Sequence, residues 1–269
     1  MSNKLDIIIN QKQKEVETLK AKLLLDPQHA INQLLLGKKQ SLRRDQFTRA
    51  VSSPVLSIIA EIKRKSPSKG HLAAITDPVE LANIYIEGGA DALSILTDTE
   101  FFAGHLDDLI EVQKNLIKPT PILRKDFTID EIQIAEAIHA GASAILLIVA
   151  ALGEKTKLLL QRAHELGIEA LVEVHNQVEL DMAVDFGAQI IGINNRDLTT
   201  FKIDTDQAFS LAERLPKEVI KIAESGILNP ELARQYYKAG FNGVLIGEAL
   251  VTAADPKAFI RACKHEMSH

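Results

Sequence analysis

The sequence is poor in cysteine and aromatic residues and has no excess of positive charge. Cys263 is the only cysteine among 269 residues, which excludes an intramolecular disulfide and favours a reducing compartment, so we expect a cytoplasmic protein. The formal net charge of −5 argues against a nucleic-acid partner, because affinity for the phosphate backbone requires a cationic surface. A small anionic ligand remains compatible with this charge, since a local site can be positive on an acidic protein.

Patterns typical of membrane, secreted and metal-binding proteins are also missing. No apolar run approaches the roughly 18 residues that a membrane span needs, and residues 1–10 lack a signal-peptide cleavage pattern. The eight histidines include no His-Glu-x-x-His pair and none with a cysteine at zinc-ligand spacing. We therefore expect neither a membrane partner nor a metal.

A repeat is the strongest architectural signal in the chain. Four helical patterns end at Gly89, Gly141, Gly187 and Gly240, and each glycine, which supplies the left-handed cap of a helix, leads into a short apolar run. Further apolar runs lie halfway between these junctions. Together the eight runs, rich in Val, Ile, Leu and Ala as in strands buried on both faces, are 55–62, 92–96, 121–123, 144–149, 170–174, 190–193, 219–223 and 244–246.

Helical patterns separate these runs, and three of them begin with an N-cap residue followed by proline: Asp77-Pro78, Asn229-Pro230 and Asp255-Pro256. Eight strand–helix units of about 25 residues fill about 200 residues, close to the roughly 250 of a closed barrel. A doubly wound open sheet is the alternative, but it calls for a G-x-G-x-x-G loop after the first strand, which is absent. We predict an α/β fold, a (β/α)8 TIM barrel.

The first 50 residues lie outside the repeat. Segments 5–25 and 31–36 are amphipathic and predict helices, so we expect residues 1–50 to form a helical extension packed on the barrel and residues 51–269 to form the barrel, within one domain overall. A coiled-coil dimer arm is the alternative for the extension. We expect a monomer, although the sequence leaves other assemblies open.

Candidate catalytic residues lie where the strands end, because the active site of this fold is at the carboxyl ends of its strands. Glu61 and Lys63 end the first strand, and alternation places them on one face. Lys125 ends the third strand. Glu173 lies within the apolar fifth strand, where a carboxylate is costly to bury without partners. Acid–base chemistry and a lysine Schiff base both fit this set.

A phosphate site is predicted opposite these residues. Gly226 and Gly247 follow the seventh and eighth strands, and a short helix opens at Glu248, so that backbone N–H groups can face an anion. The basic stretch 66–70 (SPSKG) after the first strand is a candidate mobile, anion-attracting loop. An ordinary exposed loop or a phosphorylation site are its alternatives.

These motifs resemble the indole-3-glycerol-phosphate synthase family across essentially the whole predicted barrel. The resemblance is carried by residues 58–68 (IIAEIKRKSPS), 93–98 (LSILTD), 101–104 (FFAG), 123–127 (LRKDF), 171–174 (LVEV), 192–198 (GINNRDL), 223–227 (AESGI) and 245–250 (LIGEAL). It implies a cofactor-free lyase of tryptophan biosynthesis. Its reaction turns 1-(2-carboxyphenylamino)-1-deoxyribulose 5-phosphate into indole-3-glycerol phosphate, carbon dioxide and water.

The resemblance also implies roles for individual residues. Lys125 is the leading acid for ring closure and decarboxylation, Lys63 and Glu61 form an acid–base couple for dehydration, and Glu173 stabilises the cationic intermediate or transfers a proton. The division of work between the two lysines stays open. The remaining implied residues are Asn194 for the polyol, Ser225 for the sugar or ring, Ser66, Gly226, Gly247 and the Glu248 backbone for phosphate, and Phe102, Phe127, Arg196 and Leu198 for the anthranilate end.

The sequence leaves two alternative functions. Phosphoribosylanthranilate isomerase is a phosphate-binding barrel too, but its first strand is expected to carry a cysteine where this strand carries Glu61 and Lys63. A catalytically silent barrel that acts as a scaffold is favoured by loss of one of the four charged residues, and none is lost.

Overall fold

Eight parallel strands close into a barrel in the structure, a computed structural model that describes residues 4–37, 45–197 and 202–264. Each strand pairs with the next along the chain, and the last pairs with the first. The strands are β1 Ser57–Ile62, β2 Ala92–Leu96, β3 Ile122–Lys125, β4 Ala144–Ile148, β5 Glu169–Val174, β6 Ile190–Asn194, β7 Ile220–Glu224 and β8 Gly243–Ile246. The predicted (β/α)8 barrel is therefore confirmed.

Helices precede the barrel and connect its strands. They are α1 Lys4–Leu24, α2 Ala30–Leu35, α3 Gln46–Val51, α4 Pro78–Gly88, α5 Thr99–Phe102, α6 Leu106–Lys114, α7 Glu131–Ala140, α8 Val149–Leu152, α9 Lys155–Leu166, α10 Gln177–Asp185, α11 Thr205–Ala212, α12 Pro230–Lys238, α13 Glu248–Val251 and α14 Pro256–Lys264. None of the described helices has both the length and the apolar character required to cross a bilayer.

The predicted helix ends have the expected chemistry. The Asp77 carboxylate accepts the N–H groups of Val79 and Glu80 at the start of α4, and Gly89 closes that helix with φ 102°. Asn229 caps α12 in the same way, and Asp255 accepts the N–H of Ala258 at the start of α14. These caps satisfy backbone groups that have no partner inside the helix.

Alternation along the strands divides the core into two layers. On β1, Ile58 and Ala60 belong to the outer cluster between sheet and helices, whereas Ile59 belongs to the cluster inside the barrel. The interior cluster is apolar in the middle of the strands. Toward their carboxyl ends the same inward face becomes polar, at Glu61, Lys125, Glu173, Asn194 and Glu224. The period of two therefore places the site directly above the interior core.

The N-terminal helices pack against the barrel through apolar and polar contacts. Val16 and Leu23 of α1 join an apolar cluster with Ile132 of α7. At the amino end of the strands, Phe47 of α3 is fully buried, and the Glu169 carboxylate at the start of β5 accepts its N–H at 2.7 Å. Helix α3 spans residue 50, and the division of the chain at that residue remains a prediction.

Helix α3 and three shorter elements were not predicted. Helices α5 and α8 each have four residues, and the basic stretch after β1 folds as an antiparallel hairpin of Lys65–Ser66 with Gly70–His71. Segments this short contain no complete apolar period, so sequence patterning cannot detect them.

Candidate active site

A cavity of about 920 Å³, open to solvent at its mouth, lies at the carboxyl ends of the barrel strands. Every predicted site residue that the structure describes lines it: Glu61, Lys63, Ser66, Phe102, Lys125, Phe127, Glu173, Asn194, Arg196, Ser225, Gly226, Gly247 and Glu248. Leu198 lies outside the described residues.

Lys125 lies between two buried carboxylates on the floor of the cavity. Its Nζ is 2.8 Å from Glu173 Oε2 and 3.0 Å from Glu224 Oε2. Burial alone would lower the pKa of Lys125, but these two carboxylates outweigh it and hold the pKa well above its ordinary value. Lys125 is therefore protonated and aimed into the cavity.

Glu224 is the site residue that sequence reasoning missed. It is the last residue of β7, 1% exposed, and it lines the cavity beside Lys125. Burial, opposed by the Lys125 charge, raises the pKa of Glu224 to about 7. The signal that singled out Glu173, a glutamate at the inward face of an apolar strand, was equally present at Glu224.

Glu173 has a second cationic neighbour. The Nε2 atom of His175 lies 3.3 Å from Glu173 Oε1, and its Nδ1 atom lies 3.0 Å from Glu179 Oε2. Burial raises the pKa of Glu173, but Lys125 and His175 outweigh it, so that the carboxyl is held well below its usual range. Burial lowers the pKa of His175, yet its two glutamate partners raise it to about 10. Glu173 is therefore ionised at neutral pH, whereas Glu224 exchanges a proton there.

Glu61 and Lys63 form a second ion pair on the opposite side of the cavity. Lys63 Nζ is 2.7 Å from Glu61 Oε1, and the Ser94 hydroxyl donates to Glu61 Oε2 at 3.3 Å. An added Cβ at Gly247 would lie 2.4 Å from Glu61 Oε1 and 3.0 Å from Lys63 Nζ. Glycine at this position is thus required for the ion pair to lie against β8, in addition to the close approach that was predicted for an anion.

The turn after β7 has an uncommon backbone. Ser225 and Gly226 are both left-handed, with φ of 64° and 78°, and such a conformation at serine requires support from its surroundings. Asn195 provides it, because its buried amide donates to the carbonyls of Glu224 and Ser225 at 3.1 and 3.0 Å. The turn brings the backbone of both residues to the cavity wall.

The hairpin that follows β1 lines the cavity through residues 66–68. Ser66 Oγ accepts the N–H of Lys69 at 3.2 Å, and the Lys69 ammonium forms an ion pair with the Glu248 carboxylate. The Glu248 side chain is thereby turned toward the hairpin. Arg196 also contacts the hairpin, because its Nη1 donates to Ser68 Oγ at 2.8 Å. The backbone N–H of Arg196 donates to Asn194 Oδ1 at 3.0 Å.

Two phenylalanines form an aromatic wall in the cavity. The ring centroids of Phe102, at the end of α5, and Phe127, after β3, are 6.2 Å apart with the planes tilted by 40°. This is an ordinary distance for paired rings and leaves one face of the wall open to the cavity. Within the described residues, no group of three or more His, Cys, Asp or Glu side chains is arranged to hold a metal ion.

Comparison with known proteins identifies the family of this chain. The indole-3-glycerol phosphate synthase family model matches residues 5–263. The indole-3-glycerol phosphate synthase of Lachnoclostridium phytofermentans is 46% identical over 231 residues, which are 85% of this chain and 84% of the relative. That of Chloroherpeton thalassium is 46% identical over 253 residues, 93% of this chain and 95% of the relative.

Among solved structures, 3-hexulose-6-phosphate synthase from Salmonella typhimurium aligns with a TM-score of 0.64 at 13% identity, over 80% of this chain and 100% of that one. An identity this low supports the barrel fold alone. The family match covers nearly the whole chain, including all of the strands that build the cavity. The chain therefore belongs to the indole-3-glycerol phosphate synthase family.

Proposed function

We propose that the cavity carries out the reaction for which the family is named. The chain converts 1-(2-carboxyphenylamino)-1-deoxyribulose 5-phosphate into indole-3-glycerol phosphate, carbon dioxide and water, as a carboxy-lyase of tryptophan biosynthesis. The observation that carries the proposal is the clamp of Lys125 between Glu173 and Glu224, with the Glu61–Lys63 pair in the same cavity. These groups provide two separate sources of protons.

Three chemical changes have to be supported. The ring carbon that bears the carboxylate attacks the keto carbon, so a carbon–carbon bond forms while the carbonyl oxygen takes up a proton. Loss of carbon dioxide returns an electron pair to the ring and restores its aromaticity. Loss of the new hydroxyl as water, with a proton from the carbon bound to nitrogen, completes the indole.

Lys125 donates the proton in ring closure. Its ammonium is desolvated and pre-oriented by two carboxylates, so it can meet the developing oxyanion without reorganisation. The raised pKa of Lys125 does not prevent donation, because an alkoxide is a much stronger base than an amine. Glu173, held ionised, balances the positive charge that spreads over the aniline nitrogen.

Glu224 takes part in proton transfer beside Lys125. Because its pKa is raised to about 7, Glu224 is close to half protonated at neutral pH, the condition in which a general acid or base is most effective. It can return a proton to Lys125 after ring closure through the contact of 3.0 Å.

Lys63 and Glu61 carry out the dehydration. The Lys63 ammonium protonates the departing hydroxyl, and the Glu61 carboxylate accepts the proton from the neighbouring carbon. Their contact of 2.7 Å lets the proton return from Glu61 to Lys63 once the product has formed.

The substrate lies across the cavity with its two ends held separately. Ser66, Gly226, Gly247 and the Glu248 backbone bind the phosphate, with Ser225 and Asn194 along the sugar chain. The aromatic wall of Phe102 and Phe127 holds the anthranilate ring, with Arg196 toward its carboxylate and Leu198 completing this end. A planar apolar wall and a cation suit a carboxylated aromatic ring.

Cellular location and assembly follow as further proposals. The one cysteine, Cys263, is buried in α14, a setting suited to the reducing cytoplasm. We place the enzyme there as a monomer that needs no cofactor or nucleic acid.

The proposal is tested by turnover of the purified protein, followed by fluorescence of the indole product. The chain contains no tryptophan, so the protein background is low. We expect Lys125→Ala and Lys63→Ala to lower kcat at saturating substrate by about 10²–10⁴-fold. Lys114→Ala, an exposed lysine on α6 paired with Glu111, is the control and should match the unaltered protein. A near-normal rate in either site variant removes that lysine from the acid role.

A further inference from the structure

A lysine of the N-terminal extension is buried beside the active site. Lys12 of α1 is 3% exposed, and its Nζ lies 3.1 Å from Asp98 Oδ2, 2.9 Å from Asp126 Oδ1 and 2.7 Å from Glu15 Oε2. Burial lowers the pKa of Lys12, but Asp126 and Asp98 outweigh it and hold the pKa above its ordinary value. A charge this deeply buried is costly unless opposite charges surround it, as the three carboxylates do here, and removal of one member leaves the others unpaired.

Asp98 and Asp126 each fix one half of the aromatic wall. The Asp98 Oδ1 atom caps α5 by accepting the N–H groups of Phe101 and Phe102 at 2.8 and 3.3 Å. The Asp126 Oδ1 atom accepts the N–H of Phe127 at 2.8 Å. The backbone of both wall phenylalanines is therefore held by carboxylates that converge on one ammonium group.

Lys12 also connects loops that follow different strands. Asp98 follows β2 and Asp126 follows β3, and without a cation between them two buried carboxylates would face each other. Arg124 faces Asp126 as well, at 3.4 Å, and Thr97 donates to Asp126 Oδ2 at 2.5 Å. Asp98 is fully buried, so loss of Lys12 favours protonation of Asp98, and that protonation would weaken its cap on α5.

We infer that Lys12 is a positioning residue that sets the spacing of Phe102 and Phe127 and thereby the affinity for the anthranilate end of the substrate. The inference rests on the proposed function and extends it to the N-terminal helix. Lys12 does not line the cavity, so it reaches the wall through the two aspartates and not by contact with the substrate. The wall binds the aromatic ring of the substrate in both the ground state and the transition state. Displacement of the wall by loss of Lys12 should therefore raise KM and leave kcat nearly unchanged.

The matched control is Lys20 on the same helix. Lys20 pairs with Asp130, the N-cap of α7, at 2.5 Å and also ties α1 to the barrel, but it is half exposed and its partner is neither Asp98 nor Asp126. If Lys12 served only to attach the helix, Lys12→Met and Lys20→Met would have effects of the same kind.

The experiment compares KM, kcat and inhibition by inorganic phosphate in the full-length protein. For Lys12→Met we expect KM to rise about 10-fold, which corresponds to about 1.4 kcal/mol of binding free energy, with kcat within about threefold and an unchanged inhibition constant for phosphate. Lys20→Met should keep all three values. Lys12→Met/Asp98→Asn should keep the raised KM of Lys12→Met, because a neutral side chain at position 98 gives α5 the same weakened cap as protonated Asp98.

An unchanged KM in Lys12→Met, equal changes in the two lysine variants, or a parallel loss of phosphate inhibition would overturn the inference. If Lys12→Met does not fold by circular dichroism, Lys12→Arg replaces it. Its bulkier guanidinium keeps the charge but displaces the aspartates, so KM should again rise. Failure of the proposed function is distinguishable, since the unaltered protein would then form no indole product.

Discussion

Gly192 on β6 provides the space that Glu224 occupies. A Cβ built at Gly192 would lie 2.0 Å from Glu224 Oε1 and 3.2 Å from Leu171 Cδ1. Cβ atoms in proteins essentially never lie within 3.0 Å of such a neighbour. The backbone of Gly192 is not left-handed, so alanine itself fits its conformation. Gly192→Ala therefore perturbs the site mainly by moving the Glu224 carboxylate, with a smaller displacement of Leu171.

The size of the effect follows from these distances. Relief of the contact requires the carboxylate to retreat by about 1 Å, a misplacement that costs about 100-fold in rate. Since the other oxygen of this carboxylate, Oε2, is 3.0 Å from Lys125 Nζ, a shift of the whole carboxylate disturbs that ion pair. We expect kcat to fall about 100-fold, which corresponds to about 2.7 kcal/mol of transition-state stabilisation.

The assay is kcat for product formation in a double-mutant cycle with Glu224→Ala. Removal of the Glu224 carboxylate leaves room for the methyl group, so Gly192→Ala should lower kcat by less than about threefold when it is added to Glu224→Ala. Thermal unfolding of the four proteins provides the folding control. Equal losses of kcat with and without the Glu224 carboxylate would refute the reasoning, because they would show that the methyl group acts on something else.

Three further predictions concern protonation and stability. Glu224→Gln should lower kcat by about 10²–10⁴-fold and abolish the pH dependence near the Glu224 pKa of about 7; a pH profile that keeps this limb would contradict the role of Glu224. The pKa of His175 is raised from 6.5 to about 10, so its stabilising contribution is complete below pH 6.5 and is lost as pH rises through 10. Urea unfolding should show this loss, and His175→Gln should lack it. Glu169→Ala removes acceptors for the N–H groups of Phe47 and Thr48 and should lower the free energy of unfolding by about 1–3 kcal/mol with KM unchanged.

Much of the site could be predicted before any fold was known. Alternation places Glu61 and Lys63 on one face of β1, and the barrel rule directs attention to strand ends, so these two residues, Lys125, Glu173 and the glycines after β7 and β8 were predicted from the pattern. The remaining site residues were implied by the family resemblance. Glu224 was missed although it occupies the same kind of position as Glu173. Its meeting with Lys125 joins two segments that are far apart in the chain, so the order of the residues does not show it.

The N-terminal extension illustrates the opposite case. Its sequence predicts an amphipathic helix and nothing about the site, because Lys12 is one of several lysines in a Lys/Glu/Gln-rich segment. Only the packing of α1 across the mouth of the barrel brings this lysine to Asp98 and Asp126. The space for Glu224 at Gly192 and for Glu61 at Gly247 is equally invisible in the order of the residues.

Local periodicity, helix caps and the run of polar residues after each strand were thus determined by the sequence itself, since they depend on neighbours a few positions apart. The tertiary structure decided which charges meet: Lys125 with Glu173 and Glu224, and Lys12 with its two aspartates. Such pairs join distant segments, and their distances depend on barrel closure and on the register between strands. Those same contacts determine which carboxylate of the site is ionised, because burial and opposing charge act in three dimensions.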